Sequence, residues 1–285
     1  MTDRRSVPAR AVKPRRVKFA YPRGALRRHY VEGDLVMSHV VAVLSATFPP
    51  GEEFFVRSVR HYADRVTDPE LAAQVRGFIG QEIVHGREHD RLNAELARMG
   101  YPTRLIDRMT DRSLKFAERT LPPRVRLGYT AALEHYTATI AERLLSDDGA
   151  RALLGDTEVR SVLLWHALEE SEHKAVAFDV FRETGGSERV RVRTMRVISA
   201  LLLAHIAFGT VLSLCTDRAA LNPLRLGASL ARLRHSPFLA REVITKLRAY
   251  NRRGFHPDDV DAAELLDRWR AELFGPAGTL TANLR

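Results

Sequence analysis

The sequence predicts an all-α protein in which long helices pack as a bundle. Long segments carry apolar residues at helical spacing, and short connections rich in proline, glycine or aspartate separate them. No segment shows the sustained alternation of a β-strand bounded by turn signals. A glycine-rich phosphate loop, a nucleophile elbow and a Cys-x-x-Cys motif are also missing from the sequence. Long helices with short connections therefore favour a helical bundle.

The first two predicted helices are separated by Pro49-Pro50-Gly51. The apolar residues of 35–48 predict a mostly buried helix, and Asp34 is its expected N-cap. We expect the Pro-Pro-Gly sequence to end this helix, because proline donates no backbone hydrogen bond and crowds the preceding turn. A second helix is predicted to begin at Glu52 and to end near Arg65.

The later helices are predicted from similar start and stop signals. Asp68 and Pro69 predict the start of a helix over 69–98, and Gly100 predicts its end. Five further helices are predicted at 103–119, 124–146, 157–183, 224–250 and 260–274.

Residues 197–215 form a run of 19 residues without a charge. As a helix this run would be about 28 Å long, close to the thickness of a bilayer core. His205 and three Ser or Thr residues within the run weaken a membrane-spanning interpretation, and arginines flank both ends. A helix buried in the bundle and a self-association face are the alternatives.

The most informative stretch is Trp165–His173, where three polar side chains share one helical face. Residues three, four and seven apart lie on one side of a helix, so His166, Glu170 and His173 point the same way. Apolar residues bracket them on that face, which directs the three groups inward: Val159, Leu163, Ala177 and Val180. Buried ionisable groups are costly without a partner, and two imidazoles with a carboxylate predict metal ligation.

The other helices offer complementary ligands. Helix 69–98 carries Glu82 and His85 at positions i and i+3. Helix 124–146 places Glu134 on its apolar stripe, whereas Glu142 lies about 80° away and is a weaker candidate. Glu52 shares a face with apolar residues, while Glu53 belongs to the solvent face. The predicted ligand set is Glu52, Glu82, His85, Glu134, His166, Glu170 and His173.

Several polar residues near these ligands are expected to lie outside the ligand set. Glu169 and Glu172 flank the ligand face and are predicted to be outer groups. His89, one turn beyond His85, suits either an outer partner or a hydrogen-bonded core histidine. Asp179 and Arg76 are further candidates for orienting the ligands.

Composition and charge divide the chain into three expected regions. Residues 1–28 hold ten Lys or Arg and one acid, so they carry +9 of the net charge of +10. We expect them to form a disordered basic arm, although such an arm also suits anionic lipid or nucleic acid. Residues 29–186 are expected to form the metal-binding bundle. Residues 187–285 are expected to form a helical extension that packs on it.

Cysteine content and the N-terminal segment indicate the compartment. Cys215 is the single cysteine, which excludes an intramolecular disulfide and suggests a reducing environment. No apolar secretory region precedes residue 30. We therefore expect a cytoplasmic protein, with membrane association left open by residues 197–215.

The ligand pattern resembles known families. Glu, Glu-x-x-His, Glu and Glu-x-x-His in this order resemble ferritin-like di-iron proteins, and the added His166 resembles the seven-ligand site of p-aminobenzoate N-oxygenase. Longer stretches resemble a bacterial family labelled "predicted metal-dependent hydrolase" over most of residues 30–270. They are Phe48-Pro49-Pro50-Gly51-Glu52-x-Phe54-Phe55, Gly80-Gln81-Glu82-x-x-His85-Gly86-Arg87-Glu88-His89 and Gly254-Phe255-His256-Pro257.

Two reaction classes are consistent with such a site. The first is a non-haem di-iron (or Mn/Fe) oxidoreductase that activates dioxygen on a small, hydrophobic substrate. It would need an external electron donor, because the sequence has no flavin or nicotinamide motif. The alternative is a dinuclear hydrolase of an ester or amide. Two metal ions are expected in either case, with iron favoured over manganese or zinc.

Other functions and partners are less well supported. A non-enzymatic iron-handling or oxygen-scavenging protein would usually have acidic exit paths for ions, which the basic composition of the chain does not suggest. An RNA-modifying enzyme would use the basic arm, but we do not expect nucleic acid to be a partner. A membrane surface and a second copy of the chain remain candidate partners.

Overall fold

The computed structural model describes residues 12–22 and 24–285, and helices account for most of these residues. The all-α prediction is confirmed: this described part contains no β-strand, only an isolated antiparallel bridge between Val17 and Leu284. The helices are α1 (Leu35–Arg60), α2 (Pro69–Arg98), α3 (Thr103–Thr120), α4 (Pro123–Ser146), α5 (Asp148–Ala152), α6 (Glu158–His173), α7 (Val176–Glu183), α8 (Glu188–Leu214), α9 (Pro223–Leu233), α10 (Arg241–Ala249) and α11 (Ala263–Phe274).

Helix α1 continues through Pro49 and Pro50, so the predicted break between two helices is wrong. Pro49 has no N–H for the carbonyl of Ser45, four residues earlier. The side-chain amide of Asn93 on α2 donates to that carbonyl instead, at 3.0 Å. A neighbouring helix thus satisfies the group that proline leaves free.

Predicted caps are found at the start of α1 and at both ends of α2. The Asp34 carboxylate accepts from the backbone N–H of Met37, and the Asp68 carboxylate accepts from that of Glu70. Gly100 follows α2 with φ of +93°, a left-handed conformation that suits glycine after a helix. Local sequence chemistry alone therefore determined these ends.

Two predicted long helices are interrupted in the structure. Predicted helix 157–183 is divided into α6 and α7 at residues 174 and 175, which keep right-handed backbone angles. Predicted helix 224–250 is divided into α9 and α10 around Pro237. Proline disfavours a helical conformation in the residue before it, and Ser236 there is extended.

Four helices surround a common interior. Helix α1 packs along α2, α4 packs along α6, and contacts between α2 and α6 and between α1 and α4 complete the arrangement. Apolar side chains fill this interior at two levels. One cluster includes Leu92, Leu145 and Trp165. The other includes Phe78 and Leu127. The polar site described below borders both clusters.

The basic segment before residue 29 is attached to the helices where the structure describes it. Val17 and Phe19 are buried, and the Arg15 guanidinium binds the carboxylates of Glu169 and Glu172 at 2.8–2.9 Å. Residues 12–22 therefore differ from the detached arm that charge predicts, because buried acids on α6 compensate the charge of Arg15. The rest of the predicted arm, residues 1–11 and Arg23, lies outside the described residues.

Helix α8 includes the apolar run, but it is not a buried helix. One side packs on α1 and α4, and Gly209 permits the closest approach, since a Cβ there would lie 2.8 Å from Val43. Among the described residues, α8 is the helix long and apolar enough to cross a membrane, and only 22 % of its most apolar window is buried. Of the alternatives for residues 197–215, a helix enclosed by the bundle is therefore wrong.

Candidate metal centre

The seven predicted ligands converge in the interior of the four helices. Glu52 comes from α1, Glu82 and His85 from α2, Glu134 from α4, and the remaining three from α6. Each of the seven is between 0 % and 4 % exposed. Their burial follows from helical phase, because each side chain occupies the apolar face of its helix.

One group of possible ligand atoms lies between α1, α2 and α6. Glu52, His85 and His166 each offer an atom within 4.8 Å of the other two. The Nε2 atom of His166 lies 3.7 Å from the Glu52 carboxylate. These atoms are close enough to bind one cation together.

A second group adjoins the first. Glu82, Glu170 and His173 also offer atoms within 4.8 Å of one another. The Nε2 atom of His173 lies 3.2 Å from both Glu82 and Glu134, so Glu134 belongs to the same group. Four carboxylates and three imidazoles thus surround one interior volume.

Glu170 connects the two groups. Its Oε1 atom lies 2.9 Å from His166 Nε2, 3.5 Å from His173 Nε2 and 3.6 Å from His85 Nδ1. Glu82 Oε1 also approaches both groups, at 3.8 Å from His85 Nδ1. Glu82 and Glu170 therefore approach the possible ligand atoms of both groups.

Many of the inward-facing atoms have no hydrogen-bond partner. In the described chain, nine buried side-chain atoms of the predicted ligands are unpartnered: both oxygens of Glu52, Glu82 and Glu134, Glu170 Oε2, His85 Nδ1 and His173 Nε2. Buried polar atoms are almost always paired in folded proteins, and leaving them unpaired is costly. Cations in this volume would satisfy them, so the residues fit a metal centre.

Each of the three predicted ligand histidines has a hydrogen-bond partner on one ring nitrogen. Glu169 contacts His85 Nε2 at 3.0 Å, and the Gln81 side-chain oxygen contacts His173 Nδ1 at 2.9 Å. His166 Nδ1 contacts His89 Nε2 at 2.7 Å. Such partners fix the ring and the tautomer, which leaves the remaining nitrogen directed inward.

His89 is thus an outer partner in a longer hydrogen-bonded chain. Its other nitrogen lies 2.9 Å from the Ser45 hydroxyl, which donates to the Asn93 side chain at 2.7 Å. Ser45 and Asn93 were not anticipated from the sequence. They link this chain to the proline-containing part of α1, where Asn93 also satisfies the backbone.

Basic side chains compensate the outer carboxylates. Arg15 and Arg270 both bind Glu172, and Arg15 also binds Glu169. Gln81 donates to Glu172 at 3.1 Å while its oxygen contacts His173. Sequence reasoning missed Arg15, Gln81 and Arg270. For Gln81 a signal existed, because it directly precedes Glu82 in the ligand motif.

Three other candidates lie elsewhere. Asp179 contacts His256 at 2.8 Å, and Arg76 is exposed, so neither orients a ligand as expected. Glu142 binds Lys174 and Lys246 at 3.2 and 2.5 Å. The lower rank given to Glu142 agrees with this placement, because its charge is already compensated by two ammonium groups.

Burial and neighbouring charges shift the pKa values of the four carboxylates. It raises the pKa of Glu52 and Glu82 well above the usual value, and burial with the neighbouring Glu170 raises that of Glu134 to about 7. Burial opposes the charge of Glu170 too, but the charge of His173, the hydrogen bond from His166 and the close approach of His85 hold its pKa well below the usual range. A metal ion would stabilise the charged form of all four.

The pKa values of the histidines also shift in opposite directions. Burial lowers the pKa of His166 to about 4, and the nearby His85 adds to this effect. Burial would also lower the pKa of His85, but the hydrogen bond to Glu169 and the nearby carboxylates of Glu170 and Glu82 outweigh it and raise the value to about 10. Metal ligation requires neutral imidazoles, so binding would release protons from this site.

Aromatic rings shield the ligand histidines. Phe48 lies 4.7 Å from His166, Phe78 lies 4.9 Å from His173, and Trp165 lies 4.9 Å from His85, measured between ring centroids. Apolar surroundings lower the local dielectric constant and strengthen the attraction between carboxylates and a cation.

A separate polar cluster of His29, His39 and Asp217 joins the end of α8 to α1. His29 and His39 contact one Asp217 oxygen at 2.9 and 3.1 Å, and Arg28 binds the same atom. The other nitrogens contact Arg225 and the Ser213 hydroxyl. The polar atoms of this cluster already have hydrogen-bond partners, and two of those partners, Arg28 and Arg225, are cationic. The cluster therefore suits a structural connection between helices better than a metal site.

Comparison with known proteins identifies the family. Residues 13–261 match the family model described as "Predicted metal-dependent hydrolase", and the chain therefore belongs to this family. Searches among curated proteins and among solved structures gave no match. The metal dependence in the family description agrees with the buried Glu and His groups of the interior.

Proposed function

We propose that this member of the predicted metal-dependent hydrolase family is an enzyme with a dinuclear metal centre. The observation that carries the proposal is the set of nine unpartnered, buried ligand atoms, which face one another across four helices. Glu52, His85 and His166 would hold one ion, and Glu134 and His173 the other. Glu82 and Glu170 lie between the two groups and suit shared ligands.

The donor set limits the choice of metal. Imidazole and carboxylate without thiolate suit iron, manganese or zinc. A Glu-x-x-His pair on each of two helices, with a single Glu on each of two others, also supports a ferritin-like arrangement. His166 adds a third imidazole to that pattern.

The family description supports hydrolysis, and an ester or amide is the substrate class that we propose for it. When bound, two such ions would supply an activated water and polarise a carbonyl group. The protein's own residues would fix the ligand histidines through Glu169, Gln81 and His89. The aromatic rings beside these histidines would exclude bulk water from the site. The polar groups would then be confined to the space between the predicted ligands.

Dioxygen activation by a di-iron or Mn/Fe form is the second candidate. Its specific support is the third imidazole in a thiolate-free, aromatic-shielded donor set. This reaction would require an external electron donor and a small, hydrophobic substrate. Both candidate reactions use the same seven predicted ligands. They differ in the reactants that enter the site: water and an ester or amide for hydrolysis, and dioxygen, electrons and a small, hydrophobic substrate for the second candidate.

Metal analysis and two activity measurements test the proposal. Protein purified without added metal, and protein loaded anaerobically with Fe²⁺, should contain about two metal ions per chain by elemental analysis. Ester or amide turnover by the Zn²⁺ or Mn²⁺ form without oxygen would support hydrolysis. Oxygen uptake by the Fe²⁺ form with a reductant, and no anaerobic turnover, would support the second candidate. Protein that binds no metal in either preparation contradicts both.

A further inference from the structure

An acidic cleft lies directly outside the metal centre. It has a volume of about 460 Å³ between α1, α2 and α3. Among the residues that the structure describes, its lining includes no Lys or Arg. It includes four carboxylates outside the predicted ligand set: Glu53, Asp90, Asp107 and Asp111. In a chain with a net charge of +10, this cleft is a local concentration of negative charge.

Part of this negative charge is uncompensated. Glu53 and Asp111 form ion pairs with basic neighbours on their own helices. No such ion pair involves Asp90 or Asp107 among the described residues, and the charges of Arg108 and Lys115 only partly offset the rise in the pKa of Asp107. Burial and the charge of Asp107 raise the pKa of Asp90, and burial and Asp111 raise that of Asp107. A cation in the cleft would relieve this mutual repulsion.

The cleft reaches the ligands themselves. Glu82 lines it, is only 1 % exposed, and has two carboxylate oxygens without a partner. Gly86 lies one helical turn further along, and a Cβ there would be 3.1 Å from Glu52 Oε2. The absence of a side chain at Gly86 therefore leaves space between the cleft and the Glu52 carboxylate.

We propose that divalent metal ions reach the centre through this cleft, with Glu53, Asp90, Asp107 and Asp111 as transient ligands. The inference rests on the proposed dinuclear centre. Carboxylates attract a hydrated dication and raise its rate of association, most strongly at low ionic strength. Large apolar side chains, which an organic cation would need for packing, are limited to Ile83 beside two prolines in the lining.

Rapid-mixing absorption measurements with Co²⁺ test this route. Metal-free protein is mixed with Co²⁺ at low ionic strength, and the visible absorption of the bound ion is followed. The double variant Asp107→Asn/Asp111→Asn should load about tenfold more slowly than the wild type, with the same final occupancy. High salt should reduce the difference, because it screens the steering charges.

A matched control distinguishes the effect of charge within the cleft from the effect of the protein's net charge. Asp64→Asn/Asp156→Asn changes the net charge by the same amount at exposed positions that do not line the cleft, and it should load at the wild-type rate. Equal rates for the wild type and the Asp107/Asp111 variant, with full occupancy, would overturn the route alone. A wild type that binds no Co²⁺ would overturn the proposed function as well.

A different observation concerns the outer face of α8. Val197, Leu201, Phe208 and Val211 form a stripe along it and are 38–61 % exposed. Alanines fill the positions between them at 200, 204 and 207. An exposed apolar surface of this length is unusual for a soluble monomer and indicates an interaction surface.

Within the uncharged part of α8, two polar side chains, His205 and Ser213, face the protein instead. His205 lies 3.1 and 3.2 Å from the hydroxyls of Thr47 and Thr110, and Ser213 contacts His39 at 2.6 Å. These contacts hold α8 along α1 and α3. Its outer face is therefore apolar throughout its middle section.

Arginines border this face. A groove of about 770 Å³ at the start of α8 is lined by four of them, next to Val197: Arg189, Arg193, Arg196 and Arg253. Between residues 189 and 241 the chain has nine arginines and one acid, Asp217. That acid already contacts Arg28, His29 and His39.

We infer that α8 lies flat on a membrane surface that contains anionic phospholipid. Its apolar stripe would enter the boundary between headgroups and acyl chains, and the arginines would contact the phosphates. A spanning orientation conflicts with the contacts that fix the opposite side of α8 to the protein. A second copy would bring basic ends together, since arginines lie beyond both ends of the stripe.

Vesicle co-sedimentation tests this inference. Wild-type protein should bind phosphatidylcholine vesicles that contain phosphatidylglycerol more tightly than phosphatidylcholine alone. Leu201→Gln/Phe208→Gln should weaken binding to the mixed vesicles about tenfold or more. Arg193→Gln/Arg196→Gln should remove the preference for the anionic lipid and its sensitivity to salt.

Variants on α3 provide matched controls. Leu105→Gln/Phe116→Gln and Arg104→Gln/Arg108→Gln alter exposed residues of the same kinds, and they should bind as the wild type does. Wild-type protein that sediments with neither kind of vesicle overturns the inference. So does a wild-type dimer in light scattering that Leu201→Gln/Phe208→Gln converts to a monomer without any lipid binding.

Discussion

The interior of the four helices and the outer face of α8 depart from ordinary burial in opposite ways. The interior buries seven ionisable side chains with nine unpartnered atoms. The outer face of α8 exposes Leu201, Phe208 and Val211. Each arrangement is unfavourable for the chain alone. Our proposals for the two regions give each a partner that the chain does not supply: dications for the interior and an apolar membrane boundary for the outer face of α8.

The largest effect is expected from removing one predicted metal ligand in the interior of the four helices. Glu170→Ala removes the carboxylate that approaches all three ligand histidines, and we expect metal occupancy to fall from about two ions per chain to near zero. Glu52→Ala should lose at least one ion. Elemental analysis after gel filtration measures both.

Glu53→Ala is the matched control for Glu52→Ala. The two residues are adjacent, but the Glu53 side chain is 65 % exposed whereas that of Glu52 is 2 % exposed. Equilibrium occupancy in Glu53→Ala should equal that of the wild type. Full occupancy in Glu170→Ala would contradict the assigned ligand set.

Metal removal should destabilise the folded protein. Without cations, the buried carboxylates face one another, and each bound ion contributes about 3 kcal/mol when its concentration is a hundred times the dissociation constant. Dialysis against a chelator should therefore lower the Tm by several degrees in scanning calorimetry. Restored Zn²⁺ or Mn²⁺ should reverse the change, and an unchanged Tm would argue against metal in the interior.

Loss of an outer partner should have a smaller effect. Gln81→Leu keeps the side-chain size but removes the contact to His173, so metal affinity should fall about 10–100-fold with both ions still able to bind. Competition with a chromophoric chelator measures this change. Gln74→Leu, on the same helix, is the control and should bind metal as tightly as the wild type.

The smallest expected effect concerns the connection between the two regions. Burial opposes the charge of Asp217, but its backbone contact with Ala219 and the contacts with His29, His39 and Arg28 hold its pKa below the usual range. A lowered folded-state pKa gives stability that is present above the unfolded-state value of about 3.9 and is lost as the pH falls below it. Asp217→Asn should lower stability by about 1–2 kcal/mol at neutral pH.

Chemical denaturation at several pH values tests this prediction. The difference between the wild type and Asp217→Asn should shrink as the pH falls through the acidic range in which Asp217 is protonated. Metal occupancy should stay unchanged, because this cluster is separate from the interior ligands. A constant difference at every pH would mean that the charge of Asp217 contributes nothing.

The sequence alone determined the helical class and the inward direction of the candidate ligands. Helical phase distinguished the buried Glu52 from the exposed Glu53, because a stripe of apolar neighbours identifies the buried side of a helix. The preference for Glu134 over Glu142 as a ligand stays a prediction, since both side chains are buried. Caps such as Asp68 with Pro69 likewise act within one turn and need no distant partner.

Only the tertiary structure decided features that depend on distant partners. Helix α1 passes through Pro49 because Asn93, far along the chain, satisfies a carbonyl. Arg15 lies against α6 because two buried acids bind it. The sequence likewise did not show which side of α8 is exposed. An uncharged run has the same sequence pattern whether protein, lipid or solvent surrounds the helix. Periodicity reports which residues share a face, and packing decides what that face meets.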